Sequence, residues 1–344
     1  MRALVFRGPH DLRVQEFPDP VPGPGEVLLR VTATGICGSD LHGFTGANGR
    51  RHPGQIMGHE TVGRVVAVGA DVPAALGIGV GRPATVNPVI GCAACGACTD
   101  GTEQLCAKRR VIGVDPTLPS AFAELMTVPA GNVVVLPEGL PEEYGALVEP
   151  LAVGYHAAVR GGVSAAGEVL VVGGGPIGQA CALAARRLGA TRIVVSEPSA
   201  SRRRLLDRLG FATVDPAAGQ LPERVREVLG APAGVVLDAV GSAASVADAL
   251  TASANGARIV LVGMNSPQLT LAAYDLSTHE RSIVGSFCYS SAEFRATADW
   301  VAADRSGLEH LIESRVPLAG GPDAFGRLAD GRLDASKVLV LCQA

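Results

Sequence analysis

The stretch from residue 169 to residue 188 restricts the fold of this chain more than any other. Val169-Leu170-Val171-Val172 is a continuous apolar run of strand length, Gly173-Gly174-Gly175-Pro176-Ile177-Gly178 follows it, and helical periodicity then holds from Ile177 to Leu188, before Gly189. Gly173, Gly175 and Gly178 have the Gly-x-Gly-x-x-Gly spacing. The first glycine makes a tight turn, the second lets backbone approach a pyrophosphate, and the third lets the helix pack closely on the strand, with the helix N–H groups aimed at the anion. Pro176 suits the first turn of that helix. The alternation continues with a strand at 192–196, a helix around 201–209, a strand at 235–239, a helix near 245–252, and strands at 259–262 and 283–287. This pattern writes a doubly wound parallel sheet of the α/β class. The plain alternative for the glycine run is a loop, and the alternation around it argues against that.

Glu197 ends the second strand, 19 residues after Gly178. A carboxylate there accepts hydrogen bonds from both hydroxyls of an adenosine ribose and repels a 2′-phosphate, which favours NAD over NADP. Glu197 also reads as a solvated strand end. Arg202, Arg203 and Arg204 are candidates to clamp a 2′-phosphate, but on a helix some of them must point away from any one ligand.

At 344 residues the chain exceeds what one core usually serves. We expect one domain from 1–150 together with 290–344, and a second, dinucleotide-binding domain from 151–289. The first is expected to be an irregular β-rich unit, with short β-branched runs at 26–32 and 61–68, and to receive a late strand at 337–342. Net charge is −4, and no basic stretch interleaved with aromatics is present, so nucleic-acid binding is not expected. No apolar run approaches membrane-spanning length, and no leader is read at the N terminus, so a cytoplasmic protein acting on small molecules is expected. Lys108 and Lys337 are the only lysines, a bias toward arginine that we read as coding preference with no bearing on mechanism.

Four of the eight cysteines crowd between 92 and 106. Cys92-x-x-Cys95-x-x-Cys98 followed by Cys106 offers four thiolates within fifteen residues, enough to close a tetrahedral zinc sphere. A closed sphere has no place for substrate, so this metal is expected to be structural. Two disulfides and an iron–sulfur cluster are the other readings.

A second group has the character of a reacting centre. Cys37 lies in Gly35-Ile36-Cys37-Gly38-Ser39-Asp40-Leu41-His42, and Gly58-His59-Glu60 follows about twenty residues later. Thiolate, imidazole and carboxylate are all zinc donors, and three protein ligands with one open position make a catalytic site. Each residue alone would be read as packing or as a turn.

Together these motifs resemble the zinc-containing branch of the medium-chain dehydrogenase/reductase superfamily, which includes alcohol, sorbitol, idonate, threonine and butanediol dehydrogenases. The resemblance runs nearly end to end, through 35–42, 58–63, the cysteine lobe at 92–106, Glu149-Pro150-Leu151-Ala152-Val153, and the glycine run at 173–178. It implies a GroES-like catalytic domain and a Rossmann domain with the active site in the cleft between them, two zinc ions per chain, NAD, an alcohol or ketone substrate, and a homodimer or homotetramer. It assigns Cys37 and His59 to the catalytic zinc and Glu60 as a ligand that exchanges with water. Glu149 stands where polyol and threonine members bind zinc directly or through water; the residues alone explain Glu149-Pro150 equally well as a helix start. Ser39 and His42 match the proton relay of the family. A zinc so held lowers the pKa of an alcohol, so that hydride can leave for the nicotinamide.

The Glu149 motif belongs with the diol and polyol members. Two departures point away from a sugar polyol: Phe44 stands where polyol members commonly have a tyrosine, and Cys288 where they usually have an arginine. We therefore expect a secondary alcohol or diol, or a hydroxyl of a specialised metabolite, with a polyol or threonine-type substrate as the alternative. An NAD-binding sensor without catalysis is the non-enzymatic alternative.

Overall fold

A computed structural model describes residues 1–47 and 49–343. The chain divides into two compact units, Met1–Glu149 with Ser290–Ala344, and Pro150–Tyr289.

The Pro150–Tyr289 unit is built on six parallel strands: Glu168–Val172, Arg192–Ser196, Ala212–Val214, Ala233–Asp238, Ser253–Leu261 and Ser282–Gly285. Counted along the chain they lie in the order 3-2-1-4-5-6. The crossover at the first strand places the ends of strands one and four side by side, where such sheets take their ligands. Leu170, Val172, Val194, Val236 and Ile259 are buried in one core, which also holds Val225, Leu229, Val246 and Leu250 from the helices Leu221–Leu229 and Ala243–Ala252. Two of these elements, the strand Ala212–Val214 and the helix Leu221–Leu229, are absent from the sequence reading. The strand is three residues long. The helix was legible: Leu221, Val225 and Leu229 recur at i, i+4 and i+8 and all are buried.

The other unit carries a seven-stranded sheet in the order Ile312–Pro317, Lys337–Leu341, Glu26–Gly35, Glu60–Val68, Pro83–Val86, Val133–Val135, with Leu125–Pro129 pairing to Glu26–Gly35. All these pairings are antiparallel except that of Ile312–Pro317 with Lys337–Leu341. Glu26–Gly35 is ten residues long and alone meets three partners, so its register sets those of the others. Gly35 lies opposite both Glu60 and Leu339. That double pairing delivers the residues that follow Gly35, those that precede Glu60, and the start of the late strand to one place. Below the sheet, Phe44, Phe325 and Phe122 stack edge to face with centroids 5.5 Å apart at each step, all three buried. Each buried aromatic contributes about 1.5–3 kcal/mol through area removed from water.

Candidate metal centres and dinucleotide site

Cys37 immediately precedes the short helix Gly38–Phe44, while His59 and Glu60 sit at the head of the strand Glu60–Val68. The ligand atoms of Cys37, His59 and Glu60 all lie within 4.8 Å of one another. Gly35 makes the approach possible: a Cβ there would stand 2.1 Å from Glu60 Oε2. Soft thiolate, imidazole and hard carboxylate form a donor set that zinc accepts. His59 Nδ1 is buried without a hydrogen-bond partner, and its nearest carboxylate oxygen is Asp40 Oδ1 at 3.8 Å. The arrangement fits a metal centre.

Glu149 stands outside that 4.8 Å group, in the first turn of the helix Val148–Gly161, and is buried. Its charge nevertheless acts on both His59 and Lys337. The structure corrects the reading of Lys337 as a mere product of composition bias. Its Nζ lies 2.7 Å and 2.5 Å from the two oxygens of Glu60, with both side chains almost fully buried. The signal was present, because a single lysine heads the otherwise apolar Lys337-Val338-Leu339-Val340-Leu341 in a chain with only one other lysine.

Burial opposes protonation of His59, but the charges of Asp40 and Cys37 more than reverse this and hold the imidazole well above its ordinary value. Burial likewise pushes Lys337 down, and Glu60, Cys37 and Glu149 pull it above the usual lysine range. Both shifts report an excess of negative charge that a divalent cation would neutralise. Asp40 itself, fully buried, accepts the backbone N–H of Cys37 on Oδ2 at 3.3 Å. The sequence reading gave Asp40 no role. Ser39 is half-buried and His42 exposed, three residues apart on the same helix.

In the cysteine lobe the ligand sulfurs of Cys92, Cys95, Cys98 and Cys106 also lie within 4.8 Å of one another. All eight cysteines are free, which removes the disulfide reading. Backbone N–H groups of Ala94 and Cys95 lower the Cys92 thiol to about 6, whereas burial and the Cys95 sulfur push Cys98 up to about 11. Ala93, at φ 58°, bends the chain so that those N–H groups face the sulfurs.

At the glycine run, Gly173 has φ 90° and Gly175 begins the helix Pro176–Arg187, in which Ile177 is half-buried. A Cβ on Gly178 would lie 1.8 Å from the carbonyl oxygen of Gly173, so helix and strand touch here only because the residue is glycine. Glu197 is buried rather than a solvated strand end. Its Oε2 accepts the Gly174 N–H at 2.6 Å and its Oε1 the Ser199 N–H at 2.7 Å. Each oxygen keeps further acceptor capacity. Arg203 is engaged by Asp215 at 3.1 Å and by the Glu197 carbonyl at 2.7 Å. Arg202 is exposed, with Nη1 3.8 Å from where a Cβ on Gly175 would stand, so it is the arginine of the three that flanks the glycine turn.

Phe44 is the clearest reversal. It stands where polyol members commonly have a tyrosine, yet it is 3% exposed and packed between His10 and Phe325, so it says nothing about hydroxyl recognition. Cys288 is half-buried with φ 52°, an uncommon backbone conformation for a residue other than glycine. No helix among the described residues is long and apolar enough to cross a membrane.

Two family models match the chain: an alcohol dehydrogenase GroES-like domain over residues 23–138 and a zinc-binding dehydrogenase domain over 176–303. The 2-dehydro-3-deoxy-L-galactonate 5-dehydrogenase of Pseudoalteromonas atlantica is 33% identical over 346 residues, covering 100% of this chain and 99% of that protein. Sorbitol dehydrogenase of Ovis aries is 32% identical over 358 residues, covering 99% and 96%. Among solved structures, 2R,3R-butanediol dehydrogenase from Bacillus subtilis superposes with a TM-score of 0.88 at 27% identity, covering 99% of each chain. The chain therefore belongs to the zinc-containing medium-chain dehydrogenase/reductase superfamily, enzymes that move hydride between alcohols and a nicotinamide cofactor.

Proposed function

We propose that this dehydrogenase oxidises a secondary hydroxyl that has at least one oxygenated neighbour, giving the ketone, with NAD as hydride acceptor. The convergence of Cys37, His59 and Glu60 within 4.8 Å carries the reading. Glu60 is the carboxylate that stands with Cys37 and His59, and, because both its oxygens also face Lys337, Glu149 is the second carboxylate that can complete the reacting centre directly or through water. Bound zinc would supply Lewis acidity toward the alcohol. The residues of the chain do the rest. Ser39 takes the hydroxyl proton, and His42, on the same helix and exposed, passes it outward. The turn at Gly173, Gly175 and Gly178 seats the pyrophosphate, and Glu197 receives the ribose hydroxyls and repels a 2′-phosphate.

With Phe44 buried in the core, only Cys288 still argues against a polyhydroxylated substrate, and the polyol and sugar-acid relatives favour one. A panel of ethanol, butane-2,3-diol, sorbitol and an aldonate, each with NAD and with NADP, is read by absorbance of the reduced cofactor. Turnover of the diol or polyhydroxylated compounds with NAD is expected. Preference for ethanol, or turnover with NADP at least equal to that with NAD, would overturn the reading.

We further propose a cytoplasmic homodimer or homotetramer. Ser282–Gly285 is an edge strand with open backbone groups, and Met264, Leu271 and Tyr274 of the same unit are exposed.

A further inference from the structure

Among the described residues, Arg51 is the one arginine that is buried, and it is buried against the machinery of the reacting centre. Its side chain is 1% exposed, and its Nη2 lies 3.2 Å from Asp40 Oδ1. The same Nη2 donates to the Ser39 carbonyl at 3.5 Å. Asp40 Oδ1 is the oxygen that faces His59 Nδ1 at 3.8 Å, and Asp40 Oδ2 accepts the N–H of Cys37 at 3.3 Å. One carboxylate thus accepts the backbone N–H of one metal ligand and lies in electrostatic contact with the ring of the other, at 3.8 Å, and Arg51 grips it from the remaining side.

The path that Arg51 takes is equally specific. A Cβ on Gly43 would lie 2.4 Å from Arg51 Cγ, 3.1 Å from Nε and 3.3 Å from Cδ, so the stem of Arg51 runs directly over Gly43 in the helix Gly38–Phe44. Gly43 has no positive φ. Alanine would therefore suit its backbone, and what glycine provides there is room for the arginine. Burying a guanidinium is costly unless it is paired, and its Nε has no partner here. A buried, incompletely satisfied arginine threaded over a glycine onto the carboxylate behind a metal ligand has more than a packing role.

We propose that Arg51 is a positioning residue of the metal centre: through Asp40 it fixes the His59 ring and the Cys37 turn, so that both present their ligand atoms to the metal, and Gly43 is the residue that admits it. Carboxylates behind ligating histidines typically account for 10–100-fold in metal affinity, and the contribution of Arg51 is transmitted by the same route. This rests on the reading of Cys37 and His59 as metal ligands.

The test uses the full-length, zinc-loaded protein and its Arg51→Met, Arg51→Lys and Gly43→Ala variants, with zinc release to a chelator as the readout. The four-cysteine lobe acts as an internal control. One zinc should leave Arg51→Met and Gly43→Ala about 10–100-fold faster than it leaves the wild type, while release of the lobe zinc is unchanged. Arg51→Lys, whose ammonium still reaches toward Asp40, should fall between. Cobalt in place of the reacting-centre zinc should give a shifted visible spectrum in the first two variants, a signature that a merely structural role would not move. If Arg51→Met fails to fold, Gly43→Ala, which keeps every charge, decides. Unchanged release and unchanged cobalt spectra in folded variants would overturn the role of Arg51. A wild type that binds only the lobe zinc would instead overturn the metal-centre reading beneath it.

Discussion

Lys337 and Glu60 form an ion pair with almost no water around it, 277 residues apart in sequence. Breaking such a pair from one side strands a charge in the interior and typically costs about 3–5 kcal/mol, whereas replacing both partners costs far less. Lys337→Met should therefore lower the urea midpoint sharply, and adding Glu60→Gln should restore most of it. Equal midpoints for the single and double variants would contradict the pairing. The pH dependence has a definite sign. Lys337 is held above the usual lysine range, so its contribution is complete below about pH 10 and disappears as pH rises through its native value. At this scale the sequence was uneven as a guide. Cys37, His59 and Glu60 were legible because zinc chemistry restricts the residue types that can stand together. Lys337, Asp40 and Arg51 were not, since their importance lies in partners that only the fold supplies. Phe44 was misread for the same reason: an aromatic beside a metal motif looks functional until its neighbours are seen to be Phe325 and His10.

Elements are more legible than side chains where their period is strong. The strand Arg192–Ser196 has the bounds that its apolar run dictates, and the helix Pro176–Arg187 starts at the proline and stops before Gly189. Of the irregular sheet of the other unit, the sequence offers the β-branched runs at 26–32 and 61–68 and the late strand at 337–342; the remaining strands are short and paired by long-range register rather than by local pattern. The cysteine lobe is an element defined by its ligands. Cys92, lowered to about 6, is already a thiolate at neutral pH, while Cys98, pushed up to about 11, is still a thiol. Zinc loading of the lobe must therefore displace a proton from Cys98, and its apparent affinity should strengthen as pH rises from about 6 toward about 11. A pH-indicator titration of metal-stripped protein checks both. No proton release and a flat affinity profile would sink the assignment.

For the whole molecule, the two units answer to different ligands. NADH at a hundred times its Kd should stabilise the Pro150–Tyr289 unit by about 2.7 kcal/mol, visible as slowed hydrogen exchange in the strands from Glu168–Val172 to Ser282–Gly285. Zinc chelation should instead loosen Met1–Glu149 and the segment after Ser290. Protection that rises and falls together in both units under either treatment would show a single cooperative body. Division of the chain into two domains was legible from the change in periodicity near residue 150. The return of the late strand to the first unit was legible too, but the meeting of its first residue, Lys337, with Glu60 was not, because it depends on the register in which that strand pairs. That return has a consequence for synthesis on the ribosome. The parallel-sheet unit is continuous and can fold as it emerges, but the zinc-bearing unit must wait with Cys37, His59 and Glu60 already made and unshielded until Lys337 arrives. During that interval the nascent chain offers a cysteine and a histidine that the docked last strand would otherwise shield, so metal delivered before Lys337 emerges meets an unfinished site.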